Sequence, residues 1–102
     1  MFDLYGKVAL VTGIGGPVDA LGNGKAIAML LARQGAIIEG TDINEAAGAN
    51  TVVAINDAGG AAFCRRVNAT DQLAVAKWVD DCFAQHGRID ILVNNVGQSE
   101  PG

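Results

Sequence analysis

An α/β fold, built on a doubly wound parallel sheet, is what this sequence predicts, and three observations carry that expectation. Short apolar runs, several of them β-branched, alternate with helix-forming stretches along the whole chain. Glycine recurs at positions 13, 15, 16, 22 and 24, between the first apolar run and the first helix. Finally, Gly13, Asp42, Asn68 and Asn94 each stand directly after a run, where strands would end.

The bulk properties set the frame. The 102 residues and 10.4 kDa allow one small domain, residues 1–102. Half the residues are hydrophobic and 18% are charged, the balance of a globular chain and not a disordered one. The net charge of −4 argues against a nucleic-acid surface, which needs a basic stripe. No apolar run is long enough to span a membrane, and Met1 to Lys7 lack the basic-then-apolar order of a secretory signal. Cys64 and Cys82 fall inside a predicted strand and a predicted helix, so they read as small buried hydrophobes, not as a disulfide or metal pair. A reducing, cytoplasmic setting and no metal centre are expected.

In chain order, residues 7–12 form the first strand, apolar enough to be buried on both faces. Residues 23–34 form the first helix on high-propensity residues, with Gly35 as its C-terminal stop. Residues 36–41 form a second strand, interrupted by Glu39 and Gly40 and closed by Asp42. Asn44 caps a second helix that Gly59 and Gly60 end, and residues 61–67 are the third strand. Thr70 or Asp71 caps the third helix, whose apolar face is expected to be Leu73, Ala76, Val79 and Phe83. Trp78 beside that stripe reads as sheet packing, and His86 as a solvated residue near the helix end. Residues 88–93 read as a fourth buried strand, and residues 98–102 as loop.

Crossovers of this length force parallel, right-handed connections, so a Rossmann-type half results, with spatial strand order 3-2-1-4. A ligand then sits beyond the C-terminal strand ends, at the switch point between strands one and four. Strand, glycine-rich turn and helix bring backbone N–H groups and a helix N-terminus against a pyrophosphate. Asp42, 18 residues after Gly24, is placed to accept both hydroxyl hydrogens of an adenosine ribose. No arginine or lysine adjoins Asp42 in the sequence to offset repulsion of a 2′-phosphate, so the expected cofactor is NAD. Read strictly, G-x-G-x-x-G does not occur in this turn.

These residues resemble the short-chain dehydrogenase/reductase family over essentially the whole chain. Residues 6–13, GKVALVTG, look like its opening strand. Residues 22–28, GNGKAIA, look like the end of its T-G-x-x-x-G-x-G turn and the start of its first helix. Residues 91–97, ILVNNVG, are similar to its N-N-A-G segment, with Val96 in place of alanine. The resemblance implies an oxidoreductase that interconverts an alcohol and a ketone by hydride transfer. It assigns Gly13, Gly22, Asn23 and Gly24 to the pyrophosphate of NAD and Asp42 to the adenosine ribose. Asn68 and Ala69, where the family has Asp-Val, go to adenine, the asparagine keeping a side-chain carbonyl acceptor and still able to donate. Asn95 and Gly97 go to the nicotinamide-side ribose.

Two departures stand out. Eight residues, Ile14 to Leu21, lie between Gly13 and the next motif glycine, where the family has three; they include Asp19, an unwelcome neighbour for a pyrophosphate. Secondly, the family's chemistry uses a serine and a Y-x-x-x-K pair. Tyr5 is the only tyrosine and begins no such motif, and Ser99, the only serine, comes too early. No catalytic residue is therefore expected in this chain, which reads as the N-terminal part of a longer enzyme. Its expected partners are a C-terminal half, a small alcohol or ketone and further copies in a homo-oligomer. The alternative is a truncated Rossmann fragment that binds nucleotide or a partner protein without turnover. An adenine-nucleotide binder of another reaction class is a weaker third.

Overall fold

The computed structural model describes residues 3–15 and 24–94. Its elements alternate as expected: β1 (Val8–Thr12), α1 (Gly24–Arg33), β2 (Ile37–Asp42), α2 (Glu45–Asp57), β3 (Ala61–Arg66), α3 (Gln72–His86) and β4 (Ile91–Val93). All pairings are parallel, and the sheet order is β3-β2-β1-β4. The expected Rossmann-type half is therefore present. β1, central and covered on both faces, is buried along its whole length.

Period-two alternation along the strands divides the core in two. Ala9 and Val11 of β1 and Ile38 of β2 face Ala28 and Ala32 of α1 and Ile55 of α2. Val8 and Leu10 turn the other way and pack against Trp78 and Cys82 of α3. Trp78 is only 1% exposed, which agrees with the packing role expected of it. Truncating a buried tryptophan of this kind costs about 3–5 kcal/mol.

Local chemistry fixes the helix ends. Asn44 caps α2 by accepting from the Ala47 N–H at 3.0 Å, and of the two cap candidates for α3 it is Asp71 that accepts, from the Ala74 N–H at 3.1 Å. After α1, the Gly35 N–H reaches the Ala32 carbonyl and the Ala36 N–H the Leu31 carbonyl, a Schellman-type stop on a glycine at φ +101°.

Three expectations fail here. The stripe Leu73, Ala76, Val79 and Phe83 is not the buried face of α3: Leu73 is 84% and Phe83 56% exposed. The helix is rolled so that Trp78 and Cys82 carry the packing, because one indole buries more area than the smaller side chains of the stripe. β4 is shorter than expected and half-buried, with Leu92 58% exposed, since it stands at the edge of the four-stranded sheet. His86 is not solvated; it is drawn in to Glu39 of β2. That contact also explains how an acid fits within β2: Glu39 and Gly40 do not break the strand, which runs on through Asp42.

Candidate functional site

The C-terminal ends of the four strands form one edge, and β1 sets it. The chain leaves β1 through Gly13 at φ +65°, a conformation that glycine adopts without Cβ strain. It then folds back onto β2: the Ile14 N–H donates to the Thr41 carbonyl at 3.0 Å, and the Gly15 N–H donates to Asp42 Oδ2 at 2.8 Å. Ile14 itself is fully buried and anchors the turn. Gly24 opens α1 directly against this turn, where a Cβ would run into the Gly13 carbonyl. Only a glycine lets the helix N-terminus approach the strand end so closely.

Asp42 is held on both sides. Besides the Gly15 contact, its Oδ1 accepts from the Asn44 N–H at 2.8 Å. An ionised carboxylate has about four lone-pair positions, so each oxygen keeps one for a further donor such as a ribose hydroxyl. At the switch point, the Thr12 hydroxyl bridges β1 and β4, reaching Asn94 Oδ1 at 3.3 Å and the Val93 carbonyl at 3.5 Å.

Asn68 and Ala69 lie in the turn between β3 and α3, on the same edge. The Asn68 side-chain carbonyl, expected to stay open as an acceptor, is engaged twice by Thr70, by its N–H at 3.0 Å and its hydroxyl at 2.7 Å. This local Asx-type turn competes for the carbonyl and leaves the amide N–H groups as the outward-facing chemistry. Gly13, Gly24, Asp42, Asn68 and Ala69 are thus brought to one edge, while Gly22, Asn23, Asn95 and Gly97 lie outside the described residues.

The sheet also supplies a residue that the sequence did not place. Arg66 is the Cα partner of Asp42 across the β2–β3 ladder. A basic residue does adjoin Asp42, contrary to the sequence expectation, because strand register and not chain proximity makes them neighbours. The signal was available in outline: parallel pairing of two strands of equal length sets their last residues side by side.

The two thiols are held in their protonated form. Burial pushes both thiols up to about 11, helped at Cys64 by Asp42 and Glu39 and at Cys82 by Glu39. Both cysteines are free, Cys82 buried and Cys64 half-buried. Among the described residues no cluster of His, Cys, Asp and Glu is placed to hold a metal ion, and no helix is long and apolar enough to cross a membrane. Two hollows of about 370 and 410 Å³ open at the opposite, N-terminal end of the sheet, beside Arg33 and Gly60 in one and Tyr5 and Ile37 in the other. Neither is lined by a strand C-terminus, so the strand-end edge, with its oriented carboxylate and the N-terminus of α1, is the candidate site.

Known proteins share this fold. A family model described as enoyl-(acyl carrier protein) reductase matches residues 16–102. The chain is 38% identical over 98 residues to the 7alpha-hydroxysteroid dehydrogenase of Escherichia coli (strain K12), covering 96% of this chain and 36% of that protein. It is 42% identical over 96 residues to the cis-4-hydroxycyclohexanecarboxylate dehydrogenase of Sinomonas cyclohexanicum, covering 93% and 36%. Among solved structures, a hydroxysteroid dehydrogenase from Escherichia coli superimposes with a TM-score of 0.83 at 37% identity, over 96% of this chain and 40% of that one. A dehydrogenase/reductase from Sinorhizobium meliloti 1021 gives 0.81 at 36% identity, over 92% and 36%. The chain therefore spans well under half the length of the relatives it matches.

Proposed function

The chain belongs to the short-chain dehydrogenase/reductase family, and from that premise we propose that it is the NAD-binding part of an enzyme interconverting an alcohol and a ketone by hydride transfer. The observation that carries this reading is Asp42, oriented at the end of β2 by two backbone N–H donors with one acceptor position left on each oxygen. A ribose 2′- and 3′-hydroxyl pair is the ligand group that such a carboxylate suits. Gly13 turns the chain at positive φ and Gly24 lets the N-terminus of α1 close on the end of β1, and that N-terminus favours the charge of a pyrophosphate. Ala69 and the Asn68 amide, on the same edge, are assigned to adenine, and Asn95 and Gly97 to the nicotinamide-side ribose.

Bound NAD would supply the hydride acceptor; the residues of this chain bind and orient it. Catalytic Ser-Tyr-Lys chemistry is assigned to residues beyond this chain, because the only tyrosine, Tyr5, stands 82% exposed beside the N-terminal end of the sheet. A C-terminal half of the same enzyme, a small alcohol or ketone, further copies of the chain and a cytoplasmic setting complete the reading. Leu92 supports the first of these: it lies on the α3 side of the sheet, beside Leu10 in register, and half of it is uncovered. The missing catalytic motif favours the second reading, nucleotide binding without turnover, for these 102 residues in isolation.

An NADH titration followed by nicotinamide fluorescence tests the reading. Saturable one-to-one binding, weakened in Asp42→Ala, is expected; no saturable binding would refute it.

A further inference from the structure

We infer that Arg66 is a specificity residue at the adenosine ribose, and that this edge accepts a 2′-phosphorylated adenosine, as in NADP, as well as the unphosphorylated one. The inference rests on the nucleotide reading above and deepens it. Asp42 and Arg66 are register partners on parallel strands, so their backbones run about 4.8 Å apart and their side chains leave the same face of the sheet. That face is the one covered by α2.

What distinguishes Arg66 is that no described residue pairs with its side chain. It is exposed and makes no hydrogen bond or ion pair with any described residue. Its neighbour Arg65, turned to the opposite face, is by contrast paired with Asp81 at 2.9 Å. Asp42 is also committed, tied to the Gly15 and Asn44 N–H groups and not to its register partner. A fixed carboxylate thus shares a sheet face and a register position with an uncommitted arginine.

For a free ribose the carboxylate is the useful partner. For a 2′-phosphate, Asp42 and Glu45 in the first turn of α2 are repulsive. The planar guanidinium offsets that repulsion with two parallel N–H donors to phosphate oxygens. The positive N-terminal end of α2, which begins on the same edge, works in the same direction. The pair therefore narrows the discrimination that an aspartate alone would impose.

Calorimetric titration of the 102-residue chain with 5′-ADP and with 2′,5′-ADP tests this in three versions: the natural sequence, Arg66→Ala and Arg66→Lys. The natural chain is expected to bind both nucleotides. Arg66→Ala is expected to weaken 2′,5′-ADP about tenfold more than it weakens 5′-ADP, as befits the loss of a charge-assisted contact. Arg66→Lys should recover part of that loss. Equal effects of Arg66→Ala on both nucleotides would overturn the inference, as would a natural chain that binds 5′-ADP and rejects 2′,5′-ADP. Failure to bind either nucleotide would overturn the inference and the nucleotide reading together.

Discussion

His86 Nε2 lies 2.7 Å from Glu39 Oε2, and the two side chains are only 13% and 11% exposed. The contact pins the last residue of α3 to the middle of β2, across the face that Trp78 covers. It resolves two oddities of the sequence at once, an acid inside an apolar strand and a lone histidine at a helix end. Removing one partner leaves the other desolvated, so His86→Ala is expected to cost about 1–3 kcal/mol. Replacing both, as in Glu39→Leu with His86→Leu, should recover much of that loss. Urea unfolding of the single and double variants checks the pair.

Asp90 makes a second tie, at the start of β4. It accepts from the Val8 N–H at 2.8 Å and from Arg88 through both oxygens, each at 2.8 Å. The Arg88 guanidinium, and after it the Val8 N–H, hold the carboxyl down at about 2, below its ordinary 3.8. A carboxyl lowered by folding contributes stability above its unfolded value, near pH 4. That contribution fades as the pH falls toward about 2. Asp90→Asn should therefore flatten the loss of melting temperature across that acid interval, and thermal melts recorded through it would show whether it does.

Gly24 touches the site from the helix side. With a Cβ directed into the Gly13 carbonyl, Gly24→Ala must push α1 off the end of β1. A cost of about 1–3 kcal/mol is expected, as for other overpacked contacts. NADH affinity should fall at the same time, because the helix N-terminus retreats from the strand edge. A Gly24→Ala protein of natural stability and affinity would contradict the close approach.

The outer face of α3 behaves differently. Leu73 and Phe83 are exposed, so Leu73→Lys and Phe83→Lys should change unfolding free energy by no more than about 0.5 kcal/mol. Light scattering of concentrated samples should show less self-association, since an exposed apolar stripe is removed. A large loss of stability in either variant would mean that the stripe is packed after all.

Much of the fold was legible because it follows from local signals. Alternating runs, the Asn44 cap, the Gly35 stop and the turn at Gly13 each follow from a few neighbouring residues. The strand order follows in turn from crossover handedness. What escaped depended on pairs distant in the chain. The roll of α3 was misjudged because Leu73, Ala76, Val79 and Phe83 match a helical period as well as the true face does, and only the bulk of Trp78 decides between them. Glu39 with His86 and Asp42 with Arg66 are neighbours only once β2 is paired and covered. At the site, Asp42 was found on the residue itself, while the engagement of the Asn68 carbonyl by Thr70 shows how a local turn can redirect an expected ligand group.

The most direct test of nucleotide binding at the strand ends is an amide NMR spectrum of the chain titrated with NAD. Shifts concentrated at Gly13, Gly15, Asp42, Ala69 and the first turn of α1 are predicted, since these residues form one edge. Shifts at Tyr5, Gly35 and Gly60, which line the hollows at the other end of the sheet, or no shifts at all, would contradict the account.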